Sequence, residues 1–273
     1  MRAITPTNNK YTIPNIGEIE IAGYSRACFR TGFIVKPYNI YLDGGVPSEI
    51  SPNAILITHG HYDHIASIQS ILQNNIKCPV MHKDCLTHNL NKAVQAFYCL
   101  NSNLSTKKIS INSIVEKHAM FSINKTNIYI KTYELSHSVP CQGYGIYIIK
   151  KKLKEEYKGM TSKQIIELKK TTEITHNVNI PLLMYCCDTD SNINVNFSVY
   201  PIVIIECTFI DDEHYIEAKK KKHMHWNDIV KLLKSCTDTH FILIHFSTRY
   251  KDDYLKEFEE KQKETYTNFE FWL

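Results

Sequence analysis

With 273 residues, 43% of them hydrophobic and 22% charged, the chain has the composition of an ordinary globular protein. It contains no apolar run of about 18 residues, which excludes a helical membrane span, and its N-terminus carries no apolar stretch of the secretory type, so an intracellular protein is expected. The formal charge of +4 decides nothing about nucleic acid, and nine cysteines without a CxxC pair read as reduced, structural thiols.

In chain order, residues 19–23, 32–35 and 40–42 are apolar or β-branched and predict short strands, with a turn at Asp43, Gly44 and Gly45. Residues 54–58 (AILIT) form a continuous apolar run, as expected of a strand buried on both faces. A helix is predicted over about 63–73, a strand near 79–81, and an ambiguous, helix-like segment over 90–104. Strands follow at 128–135 and 144–149, then a polar, lysine-rich stretch at about 150–175 with helical periodicity over 162–170. Residues 181–187 and 202–205 read as buried strands, 212–222 and 227–235 as helices, and 241–244 as the last core strand. No compositional shift marks a linker, so a single domain over 1–273 is expected, with 150–175 as a short insertion.

Polar residues of one chemical kind recur just after these strands, where layered α/β proteins assemble their sites. His59, His61, Asp63 and His64 form an HxHxDH cluster directly after the AILIT run. Three imidazoles and a carboxylate cannot all be buried without partners, and such donors suit zinc. Alternation aims His59 and His61 one way and places Asp63 and His64 on the next turn. Two ions need more donors than these, and His137, Asp188 and His245 stand at other strand ends, with Asp188 suited to bridge. His82, His88, His118, His176 and His240 lack that setting and read as structural or exposed.

This pattern resembles the metallo-β-lactamase superfamily, and more closely its ribonuclease Z (tRNA 3′-processing endonuclease) branch. His137 lies in LSHSVPCQGYG and Asp188 in CCDTDS, similar to the branch's GDT segment with Cys187 in the place of glycine. Glu206 lies in ECTF, His223 in KHMHW and His245 in HFSTRY, which is close to the branch's HFSxRY. The resemblance implies a four-layer αββα sandwich. It also implies His59, His61 and His137 on one zinc ion, Asp63, His64 and His245 on a second, and Asp188 between them. Manganese or iron would suit the same donors. The implied activity is hydrolysis of an RNA phosphodiester, in the branch a precursor-tRNA 3′ trailer, by a hydroxide generated at the metals. Asp63 would orient the attacking water. Glu206 with His223 would protonate the leaving 3′-oxygen, with His225 as an alternative acid.

Lys219, Lys220, Lys221 and Lys222 precede His223 and, with Arg249, are candidate contacts to an RNA backbone; a solvated helix face is the alternative. Members of the branch carry an early loop for the RNA end and a long glycine- and proline-rich arm. Here GYSRACFRTG occupies the first region, with Arg26 and Arg30 as substitutes or, equally, as surface arginines, and the shorter 150–175 stretch stands in place of the arm. Two other readings use the same residues: a hydrolase of this fold acting on a β-lactam, a thioester or a small phosphodiester, and a zinc-stabilised RNA-binding protein without catalysis. A homodimer is expected by analogy alone.

Overall fold

The computed structural model describes residues 7–73, 75–102 and 108–273; residues 1–6, on which the N-terminal reading falls, and Leu104 lie outside them. The chain opens with β1 (Thr7–Ile13), β2 (Gly17–Arg26), β3 (Arg30–Lys36), β4 (Ile40–Leu42) and β5 (Ala54–Leu56). Two short helices, α1 (Tyr62–Ile65) and α2 (Ile68–Gln73), lead to β6 (Pro79–Met81), α3 (Thr87–Asn101) and β7 (Asn112–Ile114). The second half starts with β8 (His118–Ile123), β9 (Thr126–Leu135), β10 (Cys141–Leu153), α4 (Ser162–Leu168) and β11 (Thr175–Cys186). It ends with β12 (Ile202–Glu206), α5 (Tyr215–Lys221), α6 (Trp226–Ser235), β13 (His240–Ile244), α7 (Asp252–Lys263) and β14 (Phe269–Phe271).

Two seven-stranded sheets result, ordered β1 to β7 and β14 back to β8. Each is antiparallel across its first four strands in chain order and parallel across the rest. Alternation along the strands builds the layers. Ile40, Leu42, Ile204 and Ile242 face the core between the sheets, while Tyr41 and Ile55 face the α2–α3 side, and Val203 and Leu243 the α6–α7 side. Leu72, Leu90 and Val94 cover one outer face; Trp226, Ile229, Leu233 and Leu255 cover the other. This is the expected αββα sandwich, with the apolar strands buried on both faces.

Three features differ from the sequence reading. The helix over 63–73 is two helices, because Gly44 accepts from the Ser67 amide and donates to the His64 carbonyl, diverting backbone groups that a continuous helix would use. Residues 241–244 are not the last strand: β14 adds beside β13, and Trp272 beyond it packs on Phe33 between the sheets. The lysine-rich stretch is less an insertion than the far end of a hairpin. β10 and β11 pair through Leu153 and Thr175, so Lys150, Lys151 and Lys152 are strand residues, and α4 with its Thr161 capping box sits at the tip. Strands β1, β7 and β8 and helix α7 had no predicted counterpart.

Candidate metal centre

The antiparallel-then-parallel plan brings the carboxyl ends of the parallel strands of both sheets to one edge of the sandwich. The segment after β5 delivers His59, His61, Asp63 and His64; those after β9, β11 and β13 deliver His137, Asp188 and His245. Two donor groups form. In the first, His59 Nε2 lies 3.0 Å from His61 Nδ1, His137 Nε2 lies 3.4 Å from His61 Nδ1, and Asp188 Oδ2 is 3.5 Å from His59 and 3.7 Å from His137. In the second, Asp63 Oδ2 lies 3.6 Å from His64 Nε2 and 3.3 Å from His245 Nε2, and Asp188 Oδ1 lies 3.6 Å from His64 Nε2 and 3.3 Å from His245 Nδ1. Donors about 2.0–2.1 Å from one zinc ion in a tetrahedron stand about 3.3 Å apart, so both groups have the spacing of a divalent metal site. His64 Nε2 is itself buried without a hydrogen-bond partner, an orphan that an ion between these donors would satisfy.

Electrostatics agree with the donor chemistry at most of these residues; His64 is the exception, raised to about 9 against its burial by the charges of Asp188 and Asp43. Burial holds the imidazoles of His59, His61 and His137 below their ordinary pKa, leaving neutral nitrogens. Burial also disfavours charge on Asp63, but the hydrogen bond from His245 and the nearby His64 outweigh it, and its carboxyl titrates at about 2. Asp188 is held well below the usual range, against its burial, by His245, His64 and His59.

The surroundings orient these groups. The Cys28 amide donates to Asp63 Oδ2 at 2.9 Å. Gly45 passes beneath Asp63 so closely that a Cβ there would meet the Asp63 carbonyl oxygen at 1.8 Å. His245 sits at φ 63°, a strained backbone that turns its ring back to the site. Asp43, read from sequence only as a turn residue, is fully buried and accepts from Thr58 N (2.8 Å), His64 Nδ1 (2.9 Å) and Tyr185 OH (2.6 Å). It therefore fixes the ring of His64 with Nε2 toward the donors. An aspartate directly after a strand was the available signal; its partners lie far apart in sequence.

Glu206 closes β12 and is fully buried. It accepts from Thr189 N (2.6 Å), Thr208 Oγ1 (2.5 Å), Met224 N (3.1 Å) and His223 Nδ1 (2.7 Å). Burial disfavours the His223 cation, but the charge of Glu206 and its hydrogen bond, with Asp188 adding, raise it to about 9. His225 is used otherwise: its Nδ1 accepts from Asn227 N to cap α6 and its Nε2 donates to the Asp211 carbonyl. A cavity of 450 Å³ is lined by Cys28, His61, Asp63, His137, Asp188, His223 and His245, with Lys220, Lys221 and Lys222 on its rim.

The remaining candidates are placed unequally. Lys219 lies over the Tyr215 ring, away from the cavity lining, and Lys222 donates to the His137 carbonyl while its own carbonyl accepts from His137 Nδ1. Arg249 forms a two-pronged pair with Glu217, which also takes Lys221, so its charge is already matched. His82 is bonded at both ring nitrogens, His240 pairs with Glu270, and His88, His118 and His176 are exposed, as expected of residues outside the site.

A sandwich of this kind with histidine and aspartate donors at its strand ends defines a metal-dependent hydrolase of the metallo-β-lactamase class. Residues 46–246 match the beta-lactamase superfamily domain model, and the chain belongs to that superfamily. Within it, the chain is similar to tRNase Z TRZ1 of Arabidopsis thaliana, 27% identical over 253 residues and 88% of both chains. It is also similar to Ribonuclease Z of Staphylococcus aureus, 23% identical over 80% of this chain and 78% of that one. Among solved structures, the metallo-beta-lactamase fold protein YhfI of Bacillus subtilis aligns with a TM-score of 0.56 at 15% identity, over 93% of this chain and 95% of that one. The short form of human tRNase Z aligns with a TM-score of 0.54 at 15% identity, over 84% and 93%. The two structures speak for the fold alone.

Proposed function

We propose that this protein is a dinuclear zinc phosphodiesterase, an endoribonuclease that removes the 3′ trailer of precursor tRNA. The observation that carries the reading is the buried Glu206 at 2.7 Å from His223 in the same cavity as both donor groups. A thiolate leaving from a thioester needs no proton, whereas an alkoxide leaving from phosphorus does. The names of the Arabidopsis and staphylococcal relatives support the same substrate.

His59, His61 and His137 would hold one ion and Asp63, His64 and His245 the other, with the two oxygens of Asp188 reaching one group each. When bound, such ions supply water activated at neutral pH and neutralise charge on the phosphoryl oxygens. Asp63, anchored by the Cys28 amide, would accept a hydrogen bond from the attacking water and set its line of approach. His223, protonated through Glu206, donates to the departing 3′-oxygen. Lys220, Lys221 and Lys222 neutralise the RNA backbone at the rim. We take the chain as one domain, since the main core cluster draws on both sheets. Nine free cysteines are consistent with an intracellular location, and the homodimer remains an analogy.

The test is cleavage of a 3′-extended precursor tRNA by zinc-loaded protein, beside bis-p-nitrophenyl phosphate and a β-lactam, with metal content measured. Cleavage next to the acceptor stem with two zinc ions per chain is expected. Turnover of the β-lactam above both phosphodiesters would overturn the reading.

A further inference from the structure

Tyr62 stands between His61 and Asp63, its Cα about 3.8 Å from each of theirs, and is 68% exposed. A single exposed tyrosine is ordinary on a protein surface. This one is held. The Arg30 guanidinium lies 4.8 Å from the ring centroid, and Arg30 Nη2 donates to the Tyr62 hydroxyl at 3.2 Å. Arg30 opens β3, directly after the β2–β3 turn whose Cys28 amide anchors Asp63, so ring and guanidinium are both tied to the candidate metal centre.

The charge of Arg30 is also unmatched. Arg26 is paired with Asp252 and Arg249 with Glu217, but among the described residues no carboxylate pairs with Arg30; its Nη1, like that of Arg26, is buried without a hydrogen-bond partner. The other two arginines near the site are each neutralised by a carboxylate; this one rests on an aromatic ring instead. Nothing in the hydrolytic chemistry above uses either side chain.

From this arrangement we infer that Tyr62 and Arg30 form a nucleobase-stacking platform that receives an unpaired nucleotide flanking the scissile phosphate. The inference rests on the phosphodiesterase reading and adds to it a requirement for a base. The cation backs the ring, which is otherwise largely exposed, so a splayed base can stack on it while the unmatched charge attracts the adjoining backbone. Stacking of this kind tolerates any base, since each presents a π-face. Tyr62 is flanked in the chain by His61 and Asp63, which line the cavity with Cys28, and the Lys220–Lys222 rim lies at α5 and its C-terminal end, so the two give a strand contacts on separate elements.

The experiment is a cycle between enzyme and substrate. Oligoribonucleotides and precursor tRNA carrying either a normal or an abasic nucleotide on each side of the cleaved bond are compared in the wild type, Tyr62→Ala, Tyr62→Trp and Arg30→Ala. The ratio of kcat/KM for normal to abasic substrate is taken within each protein, so that a loss of folded enzyme cancels. In the wild type the abasic nucleotide on one side is expected to cost about tenfold, chiefly through KM. Tyr62→Ala brings that ratio to about one, Tyr62→Trp keeps it or raises it, and Arg30→Ala lowers it in part. A ratio in Tyr62→Ala equal to that of the wild type overturns the platform. If the wild type cleaves bis-p-nitrophenyl phosphate but no RNA, the endoribonuclease reading has failed. Binding of the same strands to zinc-loaded protein, by fluorescence anisotropy, then decides: a preference for the normal strand that Tyr62→Ala abolishes supports the platform, and equal affinities overturn it.

Discussion

Replacing Glu206 by Gln tests the proton-delivery role most directly, because the residue is isosteric and its four hydrogen-bond partners all present donors. Two of the forces that raise His223 to about 9 are the charge of Glu206 and its hydrogen bond; without them burial dominates, and burial lowers an imidazole. A general acid works in its protonated form, so activity is present below its pKa and falls as pH rises through it. The alkaline limb of the pH–rate profile should therefore move to lower pH in Glu206→Gln, by at least one unit, about 1.4 kcal/mol of differential stabilisation. Bound metal, by neutralising Asp188, lowers the wild-type limb as well and leaves the direction of the difference unchanged. The amide also turns N–H groups toward donors, so folding stability should fall by about 1–3 kcal/mol for each one left unsatisfied. Leaving-group dependence separates chemistry from misfolding. On RNA, His223→Ala should lose about 10²- to 10⁴-fold in kcat/KM. On bis-p-nitrophenyl phosphate, whose phenolate departs without a proton, the loss should be smaller by about tenfold or more. Equal losses on the two substrates, or an alkaline limb that stays in place in Glu206→Gln, would refute the assignment.

Other residues lead to separate outcomes. Asp43→Asn should weaken the second donor group's hold on zinc by about 10- to 100-fold while sparing the first, read by competition with a chromophoric chelator; equal weakening of both would remove Asp43 as the specific support of His64. Replacing Lys220, Lys221 and Lys222 by Ala should weaken RNA binding and flatten the slope of log K against log salt by about one unit for each phosphate no longer neutralised, and an unchanged slope would return them to a solvated helix face. His225→Ala should lower stability by about 1–2 kcal/mol through removal of the α6 cap, seen in denaturant unfolding, with the alkaline limb unmoved; movement of that limb would reopen His225 as the acid.

Residues 59–64, His137, Asp188 and His245 are legible in the sequence, because a cluster of imidazoles and carboxylates following a buried strand has few uses other than metal binding. The strands nearest the site are legible for a related reason. Residues 54–56, 202–205 and 241–244 are apolar on both faces, and local hydrophobicity alone reports that. Strands β1 and β8 are not, since their exposed alternate residues dilute the signal, and β14 is only three residues long. The orientation of the site is equally hidden. Asp43 gains its meaning from Thr58, His64 and Tyr185, the last 142 positions away. The choice between His223 and His225 turns on a two-residue difference in backbone course that sends one ring to Glu206 and the other to the start of α6. Arg249 and Arg30 show the same division: both are arginines in motif-like surroundings, yet one meets a carboxylate and the other an aromatic ring. Residue type and local period are properties of short segments, so the sequence determined the candidate donors, the buried strands and the class of chemistry. Which candidate donors converge, which histidine meets Glu206 and which cation stays unmatched depend on contacts between distant segments, and only the tertiary structure decides those.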